Sequence, residues 1–221
     1  LVIRRSVLVN SSASAILTDF SCFFYTLEFL KHFTPIPHPI KTGTGAAGQL
    51  AFAGYGIEIP GGYSDYKNID ANGKILIIVS GAPDRMHSTL TAHFSNLGNK
   101  INTAYKKGAI GVILINLNPR PGAINSPTIQ TNVAMNPEKT EAYGRGFTGN
   151  LAVAVNSNRA MLSRLFLQSR KKVETVLTDI KQGIPSSFEL SLRLSVFYET
   201  KHTDFASQNV VALIPGVDKK L

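Results

Sequence analysis

Hydrophobic positions along this chain follow three different spacings. The uninterrupted apolar run at residues 75–79 predicts a strand buried on both faces, and residues 111–115 predict another strand. From Ala92 the spacing turns helical: Phe94, Leu97, Ile101, Ala104 and Tyr105 fall on one stripe. Lys106 and Lys107 sit in the last turn, where cations suit the helix dipole, and Gly108 can supply a left-handed C-cap. A third pattern begins at Phe188. Leu190, Leu192, Leu194, Val196 and Tyr198 alternate with Glu189, Ser191, Arg193 and Ser195, the period of a strand with one apolar face. Between these, residues 151–155 read as a short strand, and residues 156–158 offer an N-cap to a helix carrying Met161, Leu162, Leu165 and Phe166. A second helix carries Val173, Val176, Leu177 and Ile180 and ends at Gly183.

Turn chemistry fills in the rest. Asn72-Gly73 predicts a tight turn ahead of the strand at 75–79. Gly54 and Gly56 flank Tyr55 where a strand leaves for a loop, and Pro60, Gly61 and Gly62 continue that loop. Residues 34–39 must be extended, because each proline disfavours the α region in the residue before it. Residues 10–34 mix helical and strand spacing in Phe20, Phe23, Phe24, Leu27 and Leu30, and residues 116–150 are rich in loop formers. A helix that leads into a strand after so short a turn implies α/β packing.

Composition narrows the class. The chain has 221 residues, 43% hydrophobic and 17% charged, which fits one folded core with an appendage and excludes a disordered chain. No apolar run is long enough to span a membrane. Arg4 and Arg5 precede an apolar run that stops at Asn10, too short for a signal peptide, and the chain starts at Leu1; a targeting sequence is expected upstream. Cys22 is the single cysteine, so no internal disulfide forms, and a buried inert thiol is expected. The net charge of +9 is concentrated around Arg145, Arg159, Arg164, Arg170, Lys171 and Lys172. Such a block can attract nucleic acid, but here it is spread around a predicted helix, and a solvated helix face is expected with no nucleic-acid partner.

Candidate chemistry is sparse. Gly43, Gly45 and Gly48 spell G-x-G-x-x-G with Asp65 or Asp70 downstream, but a dinucleotide fingerprint needs a strand before and a helix after. A flexible turn is expected there instead, with no cofactor. His32, His38, His87, His93 and His202 form neither His-Glu-x-x-His nor any i, i+4 pair, so they are expected to be isolated loop or surface residues. No nucleophile elbow occurs. Asp65 and Asp70 are expected to form turns or caps. The expectation is therefore no catalytic, cofactor-binding or metal residue in this chain.

Several runs nevertheless carry a resemblance. They are Gly54 to Ile57, Tyr63-Ser64-Asp65-Tyr66, Ile69-Asp70 with Gly73-Lys74-Ile75, and Ala104 with residues 108–113. Together they resemble the protease-associated (PA) domain inserted in secreted zinc aminopeptidases, relatives of glutamate carboxypeptidase II and the transferrin receptor. The match covers residues 49–183, and residues 207–216 resemble the first core strand of the peptidase domain. In that family the first zinc-ligand motif, His-x-Asp, lies beyond that strand, and this chain ends before it.

The resemblance implies an α/β fold: a partly open β-barrel or sandwich with flanking helices, plus C-terminal strands from the start of a peptidase domain. It divides the chain into an N-terminal leader at 1–40, a PA domain at 41–187 and truncated peptidase strands at 188–221. It implies a non-catalytic module that shapes substrate access or mediates protein contacts in a secreted or periplasmic enzyme. Zinc is expected only in the missing catalytic domain, and the partners are a peptide substrate or the chain's own catalytic domain. A free-standing peptide-binding PA module is the alternative. With an apolar strand face to bury, residues 188–221 are expected either to fold back on the PA sheet or to form a homodimer.

Overall fold

The structure is a computed structural model; it describes residues 2–9, 12–19, 24–117, 131–135, 143–144, 151, 153–167 and 169–208. Four strands lie side by side and parallel: β5 (Gly43–Phe52), β6 (Ile75–Val79), β7 (Gly111–Asn116) and β10 (Val153–Asn158). The short β4 (Thr34–Pro35) adds antiparallel to β10. On the opposite flank β11 (Phe188–Ala206) runs antiparallel to β5. The second edge of β11 carries β2 (Ser14–Asp19) along its first half and β1 (Val2–Leu8) along its second. Beyond β2 lies β3 (Phe24–Leu27); beyond β1 lie β8 (Thr131–Met135) and β9 (Tyr143–Gly144).

Alternation on β6 shows why the central strands read as continuous apolar runs. Leu76 and Ile78 share one buried cluster with Val112, Leu114 and the Ile101 and Ala104 of α2 (Leu97–Lys106). Ile75, Ile77 and Val79 point the other way. They pack in a second cluster with Met161, Leu162 and Leu165 of α3 (Arg159–Leu165) and with Val176 and Ile180 of α4 (Val173–Lys181). That cluster also contains Leu190, Leu192, Leu194, Val196 and Tyr198 of β11, with Ala15, Leu17 and Leu27 of the β2–β3 hairpin. The sheet therefore curls over its own core as a partly open barrel. Among the described residues no ladder joins β3 to β4, so it stays open.

Several expectations are corrected. The helix expected over 92–107 is two helices, α1 (Ser88–Ser95) and α2, because Asn96 is extended (φ −65°, ψ 125°) and its side chain caps Gly98 and Asn99. Residues 43–48, expected as a flexible turn, belong to β5, so no helix N-terminus follows that glycine motif. The apolar face of β11 is buried by the chain's own core and both edges of its first half are paired, so residues 188–206 fold back on the chain's own sheet. Gly108, expected as a left-handed C-cap, and Gly183, expected to end its helix, both adopt positive φ, at 83° each. The expectations for Cys22, Arg145 and residues 209–216 lie outside the described residues.

Candidate functional site

In parallel sheets the loops leaving the carboxyl ends of the strands are the usual place for ligands. Here the loops after β5 and β6 form a rim built on two buried charges. Asp65 is fully buried and accepts hydrogen bonds at Oδ2 from the backbone N–H of Tyr55 (3.1 Å) and Ile57 (3.0 Å). Its Oδ1 accepts from the Tyr63 hydroxyl at 2.7 Å, and its carbonyl accepts from the Ser187 hydroxyl. Gly54, at φ +50°, packs against this carboxylate so closely that a Cβ would lie 2.4 Å from Oδ1. Only glycine fits both that backbone and that space.

Lys100 of α2, 2% exposed, is the counter-charge. Its ammonium donates to the carbonyls of Tyr55, Gly81 (2.7 Å) and Val79 (3.5 Å) and lies 5.3 Å from the centre of the Tyr55 ring. One lysine thereby ties α2 to the ends of both β5 and β6. Burial pulls its pKa down to about 8 against the attraction of Asp65. Burial pushes Asp65 up to about 6, opposed by the Tyr63, Ile57 and Tyr55 donors and by Lys100. Near neutral pH both are charged, and the polar atoms of both are engaged by the loop they hold. Tyr63 is likewise pushed above its ordinary value, by burial and by Asp65.

The surface this produces is a lip at residues 58–63, fastened to the C-cap of α2 by the Glu58–Lys107 ion pair at 2.6 Å. Pro60, Gly61 and Gly62 are exposed at its tip. A groove of about 320 Å³ adjoins the same end of the sheet, lined by Leu165, Arg170, Lys171, Phe188, Leu190 and Leu192. Lys171 lies 5.2 Å over the Phe188 ring, so part of the basic block is held against this groove. Arg159 pairs with Glu174, and Arg164 stacks 3.9 Å over Tyr25. Arg159, Arg164, Arg170, Lys171 and Lys172 are all exposed, so the described part of the basic block forms the expected solvated face, with some of its cations also paired locally.

The remaining candidates are dispersed. Asp70 forms a local turn by accepting from Asn72 N–H at 3.0 Å. His87 caps α1 and His93 packs edge-on against Phe94. The expectation of loop or surface histidines fails for His32 and His38, which are buried. His38 Nδ1 accepts from the N–H of Ile40 and Lys41, and burial pulls its pKa to about 4. His202 faces the Ser6 hydroxyl at 2.9 Å. Among the described residues no three His, Cys, Asp or Glu side chains converge to hold a metal ion, and no helix is long and apolar enough to cross a membrane.

Lys100 was missed in the sequence, although it lies on the same helical stripe as Ile101 and Ala104. A lysine at such a position is usually an exposed one.

The sequence profile described as the PA domain matches residues 44–157. No curated protein matches the chain in sequence. Solved structures of similar shape include an aminopeptidase from Aneurinibacillus sp. strain AM-1, with a TM-score of 0.46 and 12% identity over 92% of this chain and 34% of that one. Another is BSAP, a zinc aminopeptidase from Bacillus subtilis, with a TM-score of 0.41 and 14% identity over 96% of this chain and 38% of that one. The chain thus spans just over a third of the length of each.

Proposed function

Because the chain belongs to the PA domain family, we propose that it serves as the non-catalytic PA module of a zinc-dependent aminopeptidase acting outside the cytoplasm. Its work is to shape how a peptide reaches the catalytic domain, or to hold that domain's surface. One observation carries the reading. At the end of the sheet where ligands usually bind, Asp65 and Lys100 are spent on fixing a loop, which leaves a braced lip that shows no reactive cluster among the described residues. A lip braced in this way suits a part that excludes or orients a peptide chain. The motifs at Gly54–Ile57 and Tyr63–Tyr66 that resemble the peptidase insertion are the ones that build this lip.

The test is made on the chain extended by the sequence that follows Leu221 in its gene. A His-x-Asp soon after that point, with zinc-dependent release of N-terminal amino acids, supports the reading. Deleting Pro60, Gly61 and Gly62 there should change KM for long peptides and leave small amino-acid amides unaffected. Zinc-dependent turnover by residues 1–221 alone would overturn it.

A second reading, a free-standing peptide-binding PA module, draws on the groove beside the lip with its Arg170 and Lys171. It becomes the better one if no zinc-ligand motif follows and the chain alone binds peptides.

A further inference from the structure

Among the described residues no helix packs on the outward face of β5, β11, β2 and β3. It is built mostly of small residues and interrupted by three large apolar ones: Phe24 (73% exposed), Phe197 (46%) and Ile16 (38%). The ladder registers arrange it in rows across the strands. One row is Gly45, Phe197 and Ser14; the next is Ala47, Ser195 and Ile16; a third is Gln49, Arg193 and Thr18. On the far side of the first row, Gly43 stands beside Glu199. No ion pair joins Arg193 or Glu199 to another described residue, whereas Glu189 at the end of the face is engaged by Lys74 at 2.9 Å.

The geometry points to this face as the surface by which two copies of the chain pack sheet against sheet, about a two-fold axis that crosses β11 at Val196. Such an axis lays β11 antiparallel over its copy, and each residue beyond Val196 meets the one equally far before it. Arg193 then stands over the second copy's Glu199, and Glu199 over the second copy's Arg193. In the rows nearer the axis, Phe197 meets Ser195, Ile16 meets Ser14, and Gly45 meets Ala47. Gln49 meets Gly43 at the outer row.

Large residues face small ones at each of the first two kinds of contact, as two interdigitating sheets require. The two unpaired charges find their opposites by the same rotation. A partner of another kind would have to bring a matching cation and anion of its own; a second copy brings them by symmetry. The four strands present roughly 400 Å² per copy. That is below the standard size of a stable interface, so the dimer is a weak, transient one. The face differs from the one expected in the sequence, since the apolar side of β11 is already inside the core.

Sedimentation equilibrium on the 221-residue chain over a concentration series tests this. A monomer–dimer equilibrium is expected. Arg193→Glu and Glu199→Arg should each weaken it by about tenfold or more, because each places like charges opposite one another. The double reversal should restore it to within about threefold of the parent, since the pairs re-form with opposite polarity. Ser195→Trp should abolish the dimer by filling the space that Phe197 occupies. All three positions are exposed, and circular dichroism checks that the variants fold. A chain that stays monomeric at millimolar concentration overturns the proposal and leaves the face to a different protein. A dimer whose affinity ignores all these substitutions overturns it equally, by placing the contact elsewhere.

Discussion

Two regions of this molecule bury titratable groups, and they do so in opposite ways. At the rim, Asp65 and Lys100 are kept charged because backbone donors and acceptors replace the water they lost. Near the start of β5, His38 is kept neutral: two N–H groups donate to its Nδ1, Lys41 and His202 disfavour a positive charge, and no carboxylate is among the groups acting on it. The difference shows what each region is for. A saturated pair of charges fixes loop geometry at a cost in desolvation, which natural proteins accept where shape matters. The neutral imidazole of His38 closes the turn at Ile40 and Lys41, while the His38 backbone N–H donates to the Thr200 hydroxyl of β11.

The strongest way to break the comparison is to remove one of the paired charges. Lys100→Met should leave the carbonyls of Tyr55 and Gly81 without their donor and Asp65 without its counter-charge. A loss of about 3–5 kcal/mol in a urea melt is expected. Glu189→Gln, which removes the partly exposed ion pair with Lys74, should cost under about 1 kcal/mol and serves as the contrast. Equal effects from the two would show that the rim charges are no more than surface decoration.

Next in size is the backbone that receives the carboxylate. Gly54→Ala sets a Cβ against Asp65 Oδ1 at positive φ, and about 3 kcal/mol of destabilisation is expected. If thermal unfolding is unmoved, the turn can re-form elsewhere and Asp65 does not fix it.

How much of this was legible in the residues depends on the kind of signal. Period and punctuation were legible. The run at β6, the Asn72-Gly73 turn, the Asn158 cap and the alternation of β11 all appear in the structure, because local sterics and burial set them. Asn96 broke a helix that apolar spacing made continuous, and a capping side chain two residues before Gly98 was the available sign. The glycines of β5 read as a turn because their partner is remote: Phe197 lies over Gly45, with its ring 3.3 Å from where a Cβ would be. The rim was half legible. Its turn residues could be picked out, but that Asp65 and Lys100 are sealed beneath them depends on packing between segments far apart in sequence. His38 was hidden for the same reason, being buried by β11.

The comparison can be sharpened by pH. His38 stays neutral in the folded chain until about pH 4, while the unfolded chain takes up its proton near the ordinary value of 6.5. Between those values the unfolded state binds more protons, so the His38 contribution falls away as pH drops through the window. Asp65 acts in the opposite sense. Its folded pKa of about 6 lies above the ordinary 3.8, so between these the folded state binds the extra proton, and its contribution is lost as pH rises through the folded value. Stability measured from pH 7 to 4 should therefore fall less steeply in His38→Asn and more steeply in Asp65→Asn, each compared with the parent. Slopes that move together would mean that one region governs both.

The smallest expected effect tests whether the rim depends on the whole of α2 or on Lys100 alone. Gly108 ends that helix at φ 83°, and its amide donates to the Tyr105 carbonyl. A Cβ there would meet Asn72 Oδ1 at 2.6 Å, but that atom ends a side chain on an exposed turn and can move aside. To the cost of alanine at positive φ is added the approach of the Asn72 Cα, 3.2 Å from that Cβ, in a turn held by the Gly73 N–H to Gly108 carbonyl bond, so Gly108→Ala should destabilise by about 1 kcal/mol or more. Lys100 lies two turns before that cap, and its carbonyl partners belong to β5, β6 and the loops that follow them. Amide exchange should therefore quicken at Lys106 to Ala109 in this variant while the Tyr55 and Ile57 amides keep their protection from Asp65. If those two amides lose protection as well, the helix end and the rim open as one unit, and the rim is less independent than its hydrogen bonds imply.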